Sequence, residues 1–200
     1  MKKLPFPIEI PEGSFPIITQ AYGDKSKVAW YKKNGVDINE HNGVDVVVSG
    51  GKDATYGARV VCPFPQAALN KTWWDHPMST KGNGIMISYQ DGKDYYQMLV
   101  WHCSEIITKS LYKERDIIGF IGNSGLVDPK PTPESPFSGS HIHLMAYLNG
   151  KLIDPMEIFT IKEWYTGKDT GAIKDLPALQ WVLDYAKSKV EALFKLIFKK

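Results

Sequence analysis

The chain has 200 residues, 43% of them hydrophobic and 23% charged, and carries a formal net charge of +2. That length holds one domain with a sizeable core, or a domain with an appendage, and the composition excludes a disordered chain. So small a charge, with Lys and Arg spread along most of the sequence, argues against a nucleic acid partner.

Residues 1–17, MKKLPFPIEIPEGSFPI, begin basic in the manner of a secretory signal. Pro5, Pro7, Glu9 and Pro11 then interrupt any apolar stretch, so the segment reads as extended and carries no visible signal peptide. No apolar run is long enough to span a bilayer.

Residues 18–160 show short apolar or alternating runs separated by Gly, Asn, Asp and Pro. VDVVVSGG, GARVVCPF, GIMISYQDG, YYQMLVWHC, DIIGFIGNSG and HIHLMAYLNGKLI each predict a strand bounded by turns. QDGKD and LNGKL predict hairpins, because Asp-Gly and Asn-Gly accept the positive φ of tight turns. The expected fold is therefore mainly β, with an antiparallel sheet core. Residues 127–140, with four prolines, predict a loop, and residues 161–177 a linker. Residues 178–200 change period: Leu179, Val182, Leu183, Ala186, Val190, Leu193, Phe194 and Ile197 recur at the spacing of an amphipathic helix. Cys62 and Cys103 suit either one bridge or two buried thiols.

Two of the five histidines, His141 and His143, flank Ile142 at the start of a predicted strand. Alternate side chains of a strand share a face, so both imidazoles point one way while Ile142 points into the core. Imidazole is the usual zinc ligand, and a catalytic zinc takes three protein donors and keeps one position open. Such a pair is equally at home as polar residues on a wet face. His41 and Asp45, in HNGVDVVV, offer a further nitrogen and oxygen an even number of residues apart, and Gly43 between them has no side chain to obstruct the approach. His102 lies mid-strand, where a satisfied core histidine is the ordinary reading. His76 lies in a loop before a proline and is not assigned to the metal.

Several zinc classes are excluded. There is no His-Glu-x-x-His, no Pro-Cys-x-x-Cys and no glutamate in the residues after His143 that a cupin-like site requires. The chain also lacks the strand–helix alternation of a TIM barrel.

In their order, ITQAYG, HNGVDVVV, GARVVCPF, GNGIMISYQDG, IIGFIGNSG and GSHIHLMAYLNGKLIDPMEIF resemble the lysostaphin-type (LytM-like) zinc endopeptidases of bacterial peptidoglycan, over about residues 17–160. The resemblance implies the antiparallel, duplicated hybrid motif-like fold of that peptidase domain. It implies one zinc ion on His41, Asp45 and His143, with His102 and His141 as catalytic histidines. These two would supply oxyanion donors and a general base, for which His141 is preferred. The chain departs from the family at Val100, where Tyr is usual, at Cys103 for Leu, at Ser140 for Pro and at Arg115 for Gly, and its 126–140 loop is longer. None of these removes a ligand or a catalytic histidine.

Trp73, Trp74, Asn83 and Ser140 are expected substrate-groove residues. The implied activity is cleavage of cross-links or stem peptides at the bacterial cell wall. With no signal peptide visible, the expected routes there are a virion, such as a virus-encoded lysin or tail enzyme, release by lysis, or non-classical export. The alternative is a non-catalytic wall-binding or virion-structural module that keeps the fold. The helix over 178–200 ends in lysines and is expected to pack on the sheet or make an oligomer contact, the other reading being contact with a membrane or anionic envelope.

Overall fold

The computed structural model describes residues 3–74 and 80–166. In chain order it places β1 (Leu4–Ile10), β2 (Pro16–Gln20), α1 (Val28–Lys33), β3 (Val44–Val48), α2 (Lys52–Thr55) and β4 (Arg59–Val61). Then follow β5 (Gln66–Trp73), β6 (Asn83–Asp91), β7 (Asp94–Ile106), β8 (Leu111–Lys113) and β9 (Ile117–Ile121). β10 (Ile142–Leu148), β11 (Lys151–Ile153), a 3-10 turn (Pro155–Glu157) and β12 (Phe159–Thr166) complete the described region.

The strands form one sheet whose main path runs β12-β1-β4-β9-β7-β10-β3-β2, with β11 beside β10, β6 beside β7, and β5 between β6 and β8. Every pairing is antiparallel except β1 with β12. The two predicted hairpins are present. Asp91 pairs with Asp94 across Gly92–Lys93, and Leu148 pairs with Lys151 across Asn149–Gly150, where φ is +53° and +79°.

Alternation along the strands separates the core from the functional face. On β10, Ile142, Leu144 and Ala146 are fully buried and pack with Val44, Val46, Met98 and Val100 in the main core. Each large aliphatic side chain so buried contributes about 1.5–3 kcal/mol. The intervening residues, His143 and Met145, face the other way, as do Asp45 opposite His143 and Trp101 on its other side. Leu99, Trp101 and Met145 form a smaller apolar cluster on this second face, flanked by Trp73, Met86, Tyr147 and Leu152.

Three boundaries differ from the sequence expectation. The N-terminal segment is extended, but as a strand of the sheet: Phe6 and Ile8 on β1 are completely buried. β1 lies between β4 and β12, so Pro5 and Pro7 sit inside a paired strand, Pro7 itself buried. Residues 161–166, assigned to a linker, continue β12 and pair in parallel with β1. The helices α1 and α2 also fall where no helix was expected. The remaining linker residues and the helix over 178–200 lie outside the described residues, as does His76. Cys62 and Cys103 are free, buried thiols, and burial pushes both up to about 12.

Candidate metal centre

The register of β3 and β10 builds the centre. His143 lies directly opposite Asp45, and His143 Nδ1 is 2.8 Å from Asp45 Oδ1. His41 arrives from the loop before β3. Its backbone N–H donates to the Asp24 carbonyl, and its own carbonyl accepts from Gly23 N–H, each at 2.8 Å. Its ring Nδ1–H donates to the Ala21 carbonyl at 3.0 Å, which fixes the tautomer and turns the bare Nε2 inward. That nitrogen lies 3.1 Å from His143 Nδ1 and 3.2 Å from Asp45 Oδ1. Gly43 is needed for this closure: a Cβ there would stand 2.5 Å from the Leu144 carbonyl oxygen and 2.9 Å from the His143 ring.

The donor set fits a zinc ion. Two imidazole nitrogens and one carboxylate oxygen converge with spacings of 2.8–3.2 Å. Tetrahedral zinc with bonds of about 2.0–2.1 Å needs donors about 3.3 Å apart and takes this mixture of ligands. His41, Asp45 and His143 are the metal-capable group among the described residues, and three donors is the count of a catalytic site. Burial alone would raise the Asp45 carboxyl, but its hydrogen bonds with His143 and His41 outweigh that and hold it well below the usual carboxylate range. The ligand is thus an anion at neutral pH. Burial lowers His143, which keeps its ring neutral and available.

Two further imidazoles stand beside the cluster. His102 sits on β7 with φ at +65°, within a break in register with β6 and just before one with β9. That left-handed conformation is unusual for a residue with a side chain and marks a β-bulge that re-aims the ring. Its Nδ1–H donates to the Ser124 carbonyl at 2.7 Å. Burial, followed by the neighbouring His141 and His143, pushes His102 down to about 3. His141 donates Nδ1–H to the Gly139 carbonyl at 2.8 Å, and its Nε2 lies 3.8 Å from Asp45 Oδ1. The His102 and His141 rings are 4.6 Å apart. All five residues picked out in the sequence as ligands or catalytic histidines therefore meet at one place.

The centre opens on a cleft of about 620 Å³. Of the four expected groove residues, Ser140 lines it; Trp73, Trp74 and Asn83 do not. Trp73 packs against Trp101 with ring centroids 4.7 Å apart, and Trp74 is exposed. The Asn83 amide donates to the Cys103 carbonyl, bracing the strand next to His102. The sequence reading missed Tyr31 on α1. Its ring lies parallel to that of His41 at 6.3 Å and its hydroxyl donates to Gln20 Oε1 at 2.7 Å. The hydrophilic stretch DKSKVAWYKKNG gives little sign of a helix, because α1 buries none of its residues.

Comparison with known proteins gives the fold a precedent. No family model matches the chain, and no curated protein matches its sequence. Solved structures do match. A zinc-containing peptidase from Vibrio cholerae is 21% identical with a TM-score of 0.51, over 77% of this chain and 40% of that one. The catalytic domain of the antimicrobial peptidase lysostaphin from Staphylococcus simulans is 20% identical with a TM-score of 0.51, over 74% of this chain and 92% of the domain. The fold is that of the lysostaphin-type peptidases. A chain of the SpoIIQ–SpoIIIAH pore-forming complex also carries it, at 16% identity and a TM-score of 0.55 over 80% of this chain and 93% of that one. The present chain spans two fifths of the Vibrio protein and nearly all of the lysostaphin domain.

Proposed function

We propose that this chain is a zinc-dependent endopeptidase that hydrolyses peptide bonds of bacterial peptidoglycan. One observation carries the reading: His41, Asp45 and His143 converge at metal-ligand spacing while two more imidazoles, 4.6 Å apart, flank them in a cleft. A fold needs no such constellation to be stable, and collecting five polar side chains, three of them buried, costs stability. The lysostaphin-type fold supports the same substrate class.

In this reading His41 Nε2, Asp45 Oδ1 and His143 Nδ1 hold the ion. A zinc ion held there would supply Lewis acidity toward water and the scissile carbonyl. The remaining steps belong to the chain. His102, buried and already donating through Nδ1–H to Ser124, resists a second proton, so its Nε2 serves as an acceptor that orients the reactants. This differs from the oxyanion-donor role expected of it. His141 has Nδ1–H committed to Gly139 and its Nε2 beside Asp45, so it is placed to take the proton from water and pass it to the leaving amine. The cleft walls hold the peptide and exclude bulk water.

The second reading is a module that keeps the fold for docking without turnover; the same fold occurs in a pore-forming complex. One experiment separates them: release of dye from labelled, purified peptidoglycan by the intact chain. Release that stops with a chelator and returns with zinc supports the enzyme. Absence of release by the zinc-loaded chain favours the docking module.

A further inference from the structure

Of the three residues that leave the end of β9, Gly122 and Ser124 each contact one of the two histidines, and Asn123 between them holds the loop that leads to His141. The Gly122 carbonyl accepts the backbone N–H of His141 at 3.2 Å. The Ser124 carbonyl accepts Nδ1–H of His102 at 2.7 Å. Between them, the side-chain amide of Asn123 donates to two carbonyls of the proline-rich loop, Pro136 at 2.8 Å and Ser138 at 2.9 Å. Both amide hydrogens are thus used, and both partners can only accept, which defines which end of the amide faces the loop. Ser138 precedes Gly139, whose carbonyl holds the ring of His141. Gly139 has φ at +70°, and a Cβ there would strike the Pro129 carbonyl, so this carbonyl is aimed by backbone geometry that few residues accept.

We propose that Asn123 is a positioning residue that clamps residues 136–138, aims the Gly139 carbonyl at His141 Nδ1, and so sets the tautomer and orientation of that ring relative to His102. The proposal builds on the peptidase reading for its catalytic consequence, but the geometry it asserts is independent of activity. Without the clamp, residues 136–138 retain local bonds, Ser138 N–H to Ser135 and Ser140 Oγ–H to Phe137, but lose their tie to the end of β9. The Gly139 carbonyl can then shift, and His141 can place its proton on Nε2, the nitrogen that must be bare to accept one. His102 keeps its own partner, because the Ser124 carbonyl belongs to the backbone and does not depend on the Asn123 side chain.

The decisive variant is Asn123→Asp, which preserves shape but sets carboxylate oxygens against two carbonyl oxygens. Asn123→Ala removes the donors without repulsion. The zinc-loaded intact chain, ¹⁵N-labelled at histidine, reports each tautomer by long-range ¹H–¹⁵N NMR. The expected result is loss of the Nδ1–H form at His141 in both variants, with His102 unchanged and zinc content equal to that of the wild type. On labelled peptidoglycan, kcat falls about 10- to 100-fold with KM unchanged, the scale of a modest misplacement of a catalytic group. An unchanged His141 tautomer overturns the proposal, and so does loss of zinc from both variants, which would make Asn123 a support of the whole centre. If the wild type releases no dye, the peptidase reading fails while the NMR result still decides the role of Asn123.

Discussion

The metal half and the histidine half of the site are built by different means. Asp45 and His143 come from paired strands in regular register, and their approach follows from side chains opposite one another on one face. His102 and His141 depend on irregular backbone: a bulge at φ +65°, a glycine at φ +70° and two loop carbonyls. The regular half shares its backbone hydrogen bonds with the sheet and so resists small changes. The irregular half can be displaced while the sheet stays intact.

The sharpest way to break this contrast is His143→Ala. It should abolish both zinc retention and peptidoglycan release, measured by metal analysis and dye release, because it removes one of only three protein donors. His141→Ala should keep the zinc and lower kcat by about 10²–10⁴, the usual span for a general base; release of the ion by this variant would show that the two halves are not separable. Gly139→Ala tests the irregular half without touching a titratable group. Its Cβ meets the Pro129 carbonyl, so the His141 partner shifts, and kcat should drop about tenfold with zinc unchanged.

The smallest effect concerns the core beneath both halves. Cys62 and Cys103 are pushed by burial up to about 12 from an ordinary 9.0. The unfolded thiols lose protons first, so the stability that this shift contributes is whole below pH 9 and declines as the pH rises from there towards 12. Urea melts should show that decline, and Cys103→Ala should reduce it. Equal declines in the variant and the wild type would place its cause elsewhere.

Much of the regular half was legible in the sequence because strand parity is a simple rule. An even spacing puts His141 and His143 on one side of Ile142, and Gly43 reads as clearance, but His41 reaches Asp45 from the loop before β3 and not by strand parity. The irregular half left weaker traces. Nothing about a histidine announces φ of +65°, whereas Arg115, at φ +70°, stands where the resembled family has glycine and so does leave a trace. β5 escaped notice because QAALNKTW is half exposed and does not alternate cleanly. Trp73 and Trp74 have the chemistry of groove walls, yet Trp73 packs against Trp101 at the edge of the sheet's second apolar cluster. Tyr31 lies on a helix that buries none of its residues and so carries no apolar stripe to signal it.

The parallel pairing of β1 with β12 carries a practical lesson for anyone trimming this protein. A fragment begun at 18 and stopped at 160 would look complete by its motifs, yet it would strip β4 of its neighbour and release Phe6 and Ile8 from the interior. Those two side chains alone represent about 3–6 kcal/mol of burial, a large share of the margin by which a domain stays folded. The ends of the folded unit act as a clasp, and a working fragment must keep both halves of it.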